Sequence, residues 1–197
     1  MSSREQAPIE PDTKDLTWVL ERACPECGLD TRAMGRSHIP ALVRANAAAW
    51  PAVLARPNVG ERPRPGVWSP LEYACHVRDV FRLFGERLAL TLDQDDPLFV
   101  NWDQDATAVA DRYGDQDPTT VAEDLTAAAE AIAAAFEAVP DDAWWRTGRR
   151  SDGARFSVET LGRYFAHDPE HHLLDVTGST SVGSSSRSSS GTDPDTR

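Results

Sequence analysis

Lysine is nearly missing from the chain: Lys14 is the only one, and 20 basic residues face 32 acidic ones for a formal net charge of -12. A protein of that sign has no basic face with which to hold a phosphate backbone, which excludes nucleic acid as an expected partner. Long apolar runs are missing too. No stretch of 18 apolar residues would span a bilayer, and Met1-Ser2-Ser3-Arg4-Glu5 lacks the apolar core of a signal peptide. The expected location is therefore cytoplasmic, with no membrane partner. Cysteine is scarce and odd in number, with Cys24, Cys27 and Cys75 alone. That excludes a secreted disulfide framework and agrees with a reducing compartment. Also lacking are a GxGxxG after a strand, a GxxxxGK[ST], a GxSxG and an HExxH, so dinucleotide, P-loop and serine-hydrolase readings have no support.

The 197 residues that are there, 40% hydrophobic and with six Trp, suit one domain around a single core. Residues 1–15 are polar, and 177–197 form a Ser/Gly-rich tail. Neither holds enough apolar surface to offset the entropy of ordering, so both are expected to be disordered, with the domain at 16–176.

Within that domain the pattern is helical. Ile39, Leu42, Val43, Asn46, Trp50, Val53 and Leu54 follow helical spacing behind Ser37 as an N-cap, with Pro51 interior. Asn46 in the apolar row reads first as a hydrogen-bonded amide, with a pocket-lining role as the alternative. Ser69-Pro70-Leu71-Glu72 is a capping box with proline in the first turn, opening a helix with a wide apolar arc on which His76 points inward. A third helix follows Asp117-Pro118, and a fourth starts at Ser157. The segment 93–117 between the second and third is long and Asp-rich, and Phe99, Trp102 and Tyr113 are suited to fold it down over a pocket. Four arginines gather in 144–156, either as a hairpin-like loop with a solvated tip or as a seat for an anionic substrate group.

Chemistry is concentrated at His167-Asp168-Pro169-Glu170-His171-His172. Residues four apart share a helix face, so His167 and His171 can aim at one point as a metal clip, and His76 is the best-placed third donor. Asp79 and Asp175, each within about a turn of one of these histidines, are candidates to orient an imidazole. His172, turned about 100° from His171, reads as a supporting or surface residue. The Cys24-Pro25-Glu26-Cys27 segment is half a zinc ribbon without its second half. It reads first as a tight turn with reduced thiols, with structural zinc or a redox pair as alternatives.

The capping-box segment Trp68 to Asp79 together with His167 to His172 resembles the DinB superfamily of metal-binding bundles. The resemblance covers about Ser37 to Val176 and implies an all-α four-helix bundle with a long crossover between helices 2 and 3. It implies a three-histidine site for a divalent metal, Zn2+ or Ni2+, here His76, His167 and His171. The family includes thiol-dependent S-transferases and mycothiol-dependent isomerases. The implied activity is therefore activation of a thiolate on the metal, and the high-GC actinobacterial style of the composition favours mycothiol. Hydrolysis by the same parts, or a bundle that binds metal without turnover, are the alternatives. The implied partners are a small-molecule thiol and an electrophilic substrate, with a homodimer left open.

Overall fold

Capping chemistry sets where the helices begin. The Ser69 hydroxyl accepts the Glu72 amide at 3.2 Å while the Glu72 carboxylate accepts the Ser69 amide at 2.7 Å, and α2 runs from there over Pro70–Asp93. The structure, a computed structural model, describes residues 16–181. Asp117 caps α4 (Pro118–Glu137) through the Thr120 amide, and Ser157 caps α5 (Val158–Thr177) through the Thr160 amide. The start of α1 (His38–Leu54) differs from expectation. Ser37 already has helical dihedrals and makes no side-chain cap, because turn bonds from the His38 and Ile39 amides to Gly35 and Arg36 begin before it. Instead the His38 Nδ1 accepts the Gly35 amide at 2.9 Å.

These four long helices make the bundle. Helices α1 and α2 each pack on both α4 and α5, so the first two, although consecutive, lie across the bundle diagonal. Phe81, Phe84 and Phe136 surround Phe165, with ring centroids 5.1 to 6.1 Å away, and all four are buried. A Cβ on Gly162 would stand 2.6 Å from Ile39 Cδ1 and 3.0 Å from Phe136 Cε1, so the glycine on α5 leaves room for side chains of α1 and α4.

The crossover from α2 to α4 carries the short α3 (Gln104–Ala110). Its aromatic residues fold inward as expected: Phe99 and Tyr113 are buried, and the Tyr113 hydroxyl donates to Asp79 at 2.5 Å. Between α4 and α5 the arginine-rich segment forms a small antiparallel hairpin, β1 (Thr147–Arg149) with β2 (Arg155–Ser157). The Phe99 amide donates to the Arg149 carbonyl at 2.8 Å, which ties the crossover to that hairpin.

Asn46 is fully interior and joins α1 to α5. Its Nδ2 donates to the Pro169 carbonyl at 2.8 Å and to Glu170 Oε1 at 2.9 Å, and its Oδ1 accepts from Trp50 Nε1 at 3.1 Å. Glu170 is satisfied from the other side by Ser181, whose amide and hydroxyl donate at 3.0 and 2.6 Å. The start of the expected tail thus contributes a contact, while residues 1–15 and 182–197 lie outside those described. Among the described residues, no helix is long and apolar enough to cross a membrane.

Candidate metal centre

Helix α5 presents two donor pairs side by side, each spaced by four residues and turned about 100° from the other. His167 and His171 face the irregular N-terminal segment, whose turns at Thr17–Leu20 and Thr31–Ala33 pack on α5. Asp168 and His172 face α2. The trio expected from the sequence is therefore divided: the structure keeps His167 with His171 and groups His76 with Asp168 and His172. Helical spacing establishes that a pair shares a face. Which of two adjacent pairs meets the neighbouring helix depends on the rotation of α5, and that is set by packing.

In the first group, one ligating atom from each of His76, Asp168 and His172 lies within 4.8 Å of the others. The Nε2 atoms of His76 and His172 stand 3.3 and 3.6 Å from the same Asp168 oxygen. Trp102, from the crossover, stacks on His76 with centroids 5.4 Å apart and planes 16° from parallel, and Trp68 packs at 5.1 Å. Asp175 Oδ2 lies 3.2 Å from His172 Nδ1 while Asp168 faces its Nε2, so each nitrogen of that ring meets one carboxylate. Burial disfavours the Asp168 carboxylate, but the His172 and His76 imidazoles outweigh it and hold the carboxyl well below its usual range.

The second group is Cys24, Cys27, His167 and His171, again with one ligating atom each within 4.8 Å of the others. Cys24 Sγ lies 3.8 Å from His171 Nδ1, and the other nitrogen of that ring is 3.3 Å from Glu26. Burial, followed by the His171 charge, lowers His167 to about 4, so its imidazole is neutral at physiological pH. Burial pushes the Cys27 thiol up to about 12.

A divalent ion fits donors of these types. Imidazole nitrogen with carboxylate oxygen suits zinc or nickel, and imidazole with thiolate suits zinc. In the second group His167 Nε2 is buried without a hydrogen-bond partner, a costly condition for a ring nitrogen that has no further role; in the first, the orphan nitrogen of His76 is Nδ1 rather than the Nε2 that meets Asp168.

Of the other candidates, Asp175 reaches His172 and stands 4.0 Å from His171. Asp79 does not orient an imidazole. Arg78, Arg82 and the Tyr113 hydroxyl hold it, and it fastens the crossover to α2. Cys75 is buried at that same junction, 3.5 Å from the Gln116 amide oxygen, with its thiol pushed up to about 12 by burial. His172 was legible only as a supporting residue. The signal that identifies it is that Asp168 and His172 repeat, one position on, the spacing of His167 and His171.

Both groups border one cavity of about 570 Å³. Val80, Leu83 and Phe84 supply its apolar wall, and Arg87 and Arg150 its positive charge. Arg150 donates to the Tyr164 hydroxyl at 2.9 Å and pairs with Asp152. Arg87 lies over the Phe84 and Phe99 rings, its Nε is buried without a partner, and burial lowers its pKa.

The fold agrees with what the chain is similar to. Its structure matches that of YfiT from Bacillus subtilis, described as "a probable metal-dependent hydrolase with an unusual four-helix bundle topology". The TM-score is 0.63 at 20% identity, over 73% of this chain and 82% of that one. Among the curated proteins none matches. The family model of the DinB superfamily matches residues 41–176, which take in all of α2 and nearly all of α5, and the chain belongs to that superfamily.

Proposed function

We propose that the chain is a divalent-metal-dependent enzyme that transfers or adds a low-molecular-weight thiol of the mycothiol type to a small electrophile bearing an anionic group. The observation that carries this reading is the convergence of His76 and His172 on one Asp168 oxygen beside a cavity large enough for a small substrate. His76, Asp168 and His172 are the residues that would hold the ion. Bound there, a zinc or nickel ion lowers the pKa of a thiol or water ligand, so that the anion is available near neutral pH.

The chain's own groups prepare the rest. With an ion on Nε2, Asp175 would accept the Nδ1 proton of His172, and Trp102 and Trp68 pack against the His76 ring. Asp168 adds one negative charge that a set of three imidazoles would lack, which softens the activation and favours an easily ionised nucleophile such as a thiol. Arg87 and Arg150 give the cavity two cations, a charge suited to a carboxylate of the thiol or of its electrophilic partner. A second reading, hydrolysis with water in place of the thiol, is supported by the description of YfiT.

The test pairs metal analysis with a consumption assay, in which a panel of thiols and electrophiles is offered to the metal-loaded protein. The expected result is that His76→Ala and His172→Ala abolish turnover, and that Arg87→Gln raises KM with a smaller effect on kcat. Turnover of esters or amides with no dependence on thiol would replace the transferase reading with the hydrolytic one.

A further inference from the structure

We propose a second metal site, separate from the His76 group: Cys24, Cys27, His167 and His171 form a closed four-ligand zinc site that fastens the N-terminal segment to the last helix. Two thiolates and two neutral imidazoles make a complete tetrahedral set for zinc, leaving no position for substrate, which is the composition of structural rather than catalytic centres. The four ligating atoms already lie within 4.8 Å of one another, although 140 or more residues separate the cysteine pair from the histidine pair.

Local structure supports each half. The Cys24-Pro25-Glu26-Cys27 turn is closed by the Gly28 amide donating to the Cys24 carbonyl at 2.9 Å and by the Cys24 amide donating to Leu29 at 3.0 Å. Gly28 has φ of +76°, a left-handed conformation that suits glycine and turns the chain just after the second cysteine. On the helix side, Glu26 lies 3.3 Å from His171 Nε2, placed to accept its proton, and the other nitrogen, Nδ1, faces Cys24 Sγ at 3.8 Å. Independently of these contacts, His167 Nε2 is buried with no hydrogen-bond partner, and the residue is only 4% exposed. A metal supplies the partner that the protein does not.

The fold also needs a fastening here. Residues 16–36 contain only two short turns of helix and bury few apolar side chains, chiefly Val19, Cys24 and Met34. Segments that cannot build a core of their own are commonly held by metals or disulfides. Trp18 packs edge-on against His167 at 6.1 Å, so the same fastening holds one wall of the cavity, which Leu16, Trp18 and Pro25 line.

Cobalt-substituted protein and organomercurial titration of the zinc form test the proposal without added thiol. The expected results are an intense sulfur-to-cobalt charge-transfer band, and release of one zinc per chain, read with a zinc-sensitive dye, as two thiols react. The band should survive His76→Ala and be lost in Cys24→Ser/Cys27→Ser. Should that double variant fail to fold, His171→Cys keeps four ligands and should retain the metal with a stronger band. Absence of the band from the cobalt-loaded wild-type protein, or its persistence without both cysteines, would overturn the site. The His76 site is read separately, by the metal that remains after mercurial treatment.

Discussion

His171 and His172 are consecutive on α5 and serve different clusters: His171 Nδ1 lies 3.8 Å from Cys24 Sγ, whereas His172 Nε2 lies 3.6 Å from Asp168 Oδ1. One helix can feed two centres because each residue advances the direction of its side chain by about 100°. Replacing either histidine should therefore have a distinct consequence. His171→Ala should remove the sulfur-to-cobalt band and leave the other ion bound; His172→Ala should do the reverse. Metal content and absorption of the two variants check this, and equal loss of both signals in either one would mean a single shared site.

In the proposed His76 site, Asp175 supports a ligand without being one. Its carboxylate, 3.2 Å from His172 Nδ1, is placed to accept the proton of that nitrogen when Nε2 holds the ion. Removing such a support typically weakens affinity by about 10–100-fold. Asp175→Asn should lower affinity at the His76 group within that range in a chelator competition titration, while the cysteine-held metal is unaffected. An unchanged affinity would show that packing against Tyr73, whose ring lies 5.0 Å from His172, is enough to hold the imidazole.

The helices were legible because their signals are local. Ser69, Pro70 and Glu72 are a complete instruction for starting α2, and the inward position of His76 follows from the same periodicity. Ser37 misled because a cap is defined by dihedrals as well as by residue type, and a turn already formed ahead of it. The donors of the site were legible as residue types but not as partners. Asp168 with His172 and His167 with His171 are equivalent on a helical wheel, and only the rotation of α5 against α2 decides between them. The cysteines looked incomplete because the histidines grouped with them lie on the last helix of the bundle, a separation that no local spacing rule covers.

Asn46 and Ser181 together satisfy a carboxylate that has no access to water. Glu170 is fully buried and accepts from the Asn46 side chain and from the Ser181 amide and hydroxyl. Leaving a buried charged group short of a donor costs about 1–3 kcal/mol or more. Asn46→Ala should therefore lower the melting temperature by several degrees, at roughly 2–4 °C per kcal/mol for a chain of this size. Ending the chain at Gly178 should also be destabilising, although by composition this stretch has almost nothing to bury. Thermal unfolding of both variants measures this; no change on truncation would mean that water replaces Ser181 at no cost.

Glu72 makes part of the stability depend on acid. Burial raises its pKa, but the Arg62 guanidinium and the Ser69 amide outweigh that effect and hold the carboxyl below its ordinary value. A carboxyl whose folded pKa lies below its unfolded one stabilises fully above the unfolded value, about 4.3 for Glu, and loses that contribution as pH falls through the folded value. Glu72→Gln keeps a side-chain oxygen for the Ser69 amide but removes the charge facing Arg62, which is itself mostly buried. The variant should be less stable than wild type at neutral pH by on the order of 2 kcal/mol. The gap should stay constant down to about pH 5 and close in more acid solution, because the wild type then loses the same charge. Urea unfolding of the two proteins at a series of pH values measures the gap, and a difference that stays constant into strong acid would show that Glu72 acts through packing and capping rather than charge.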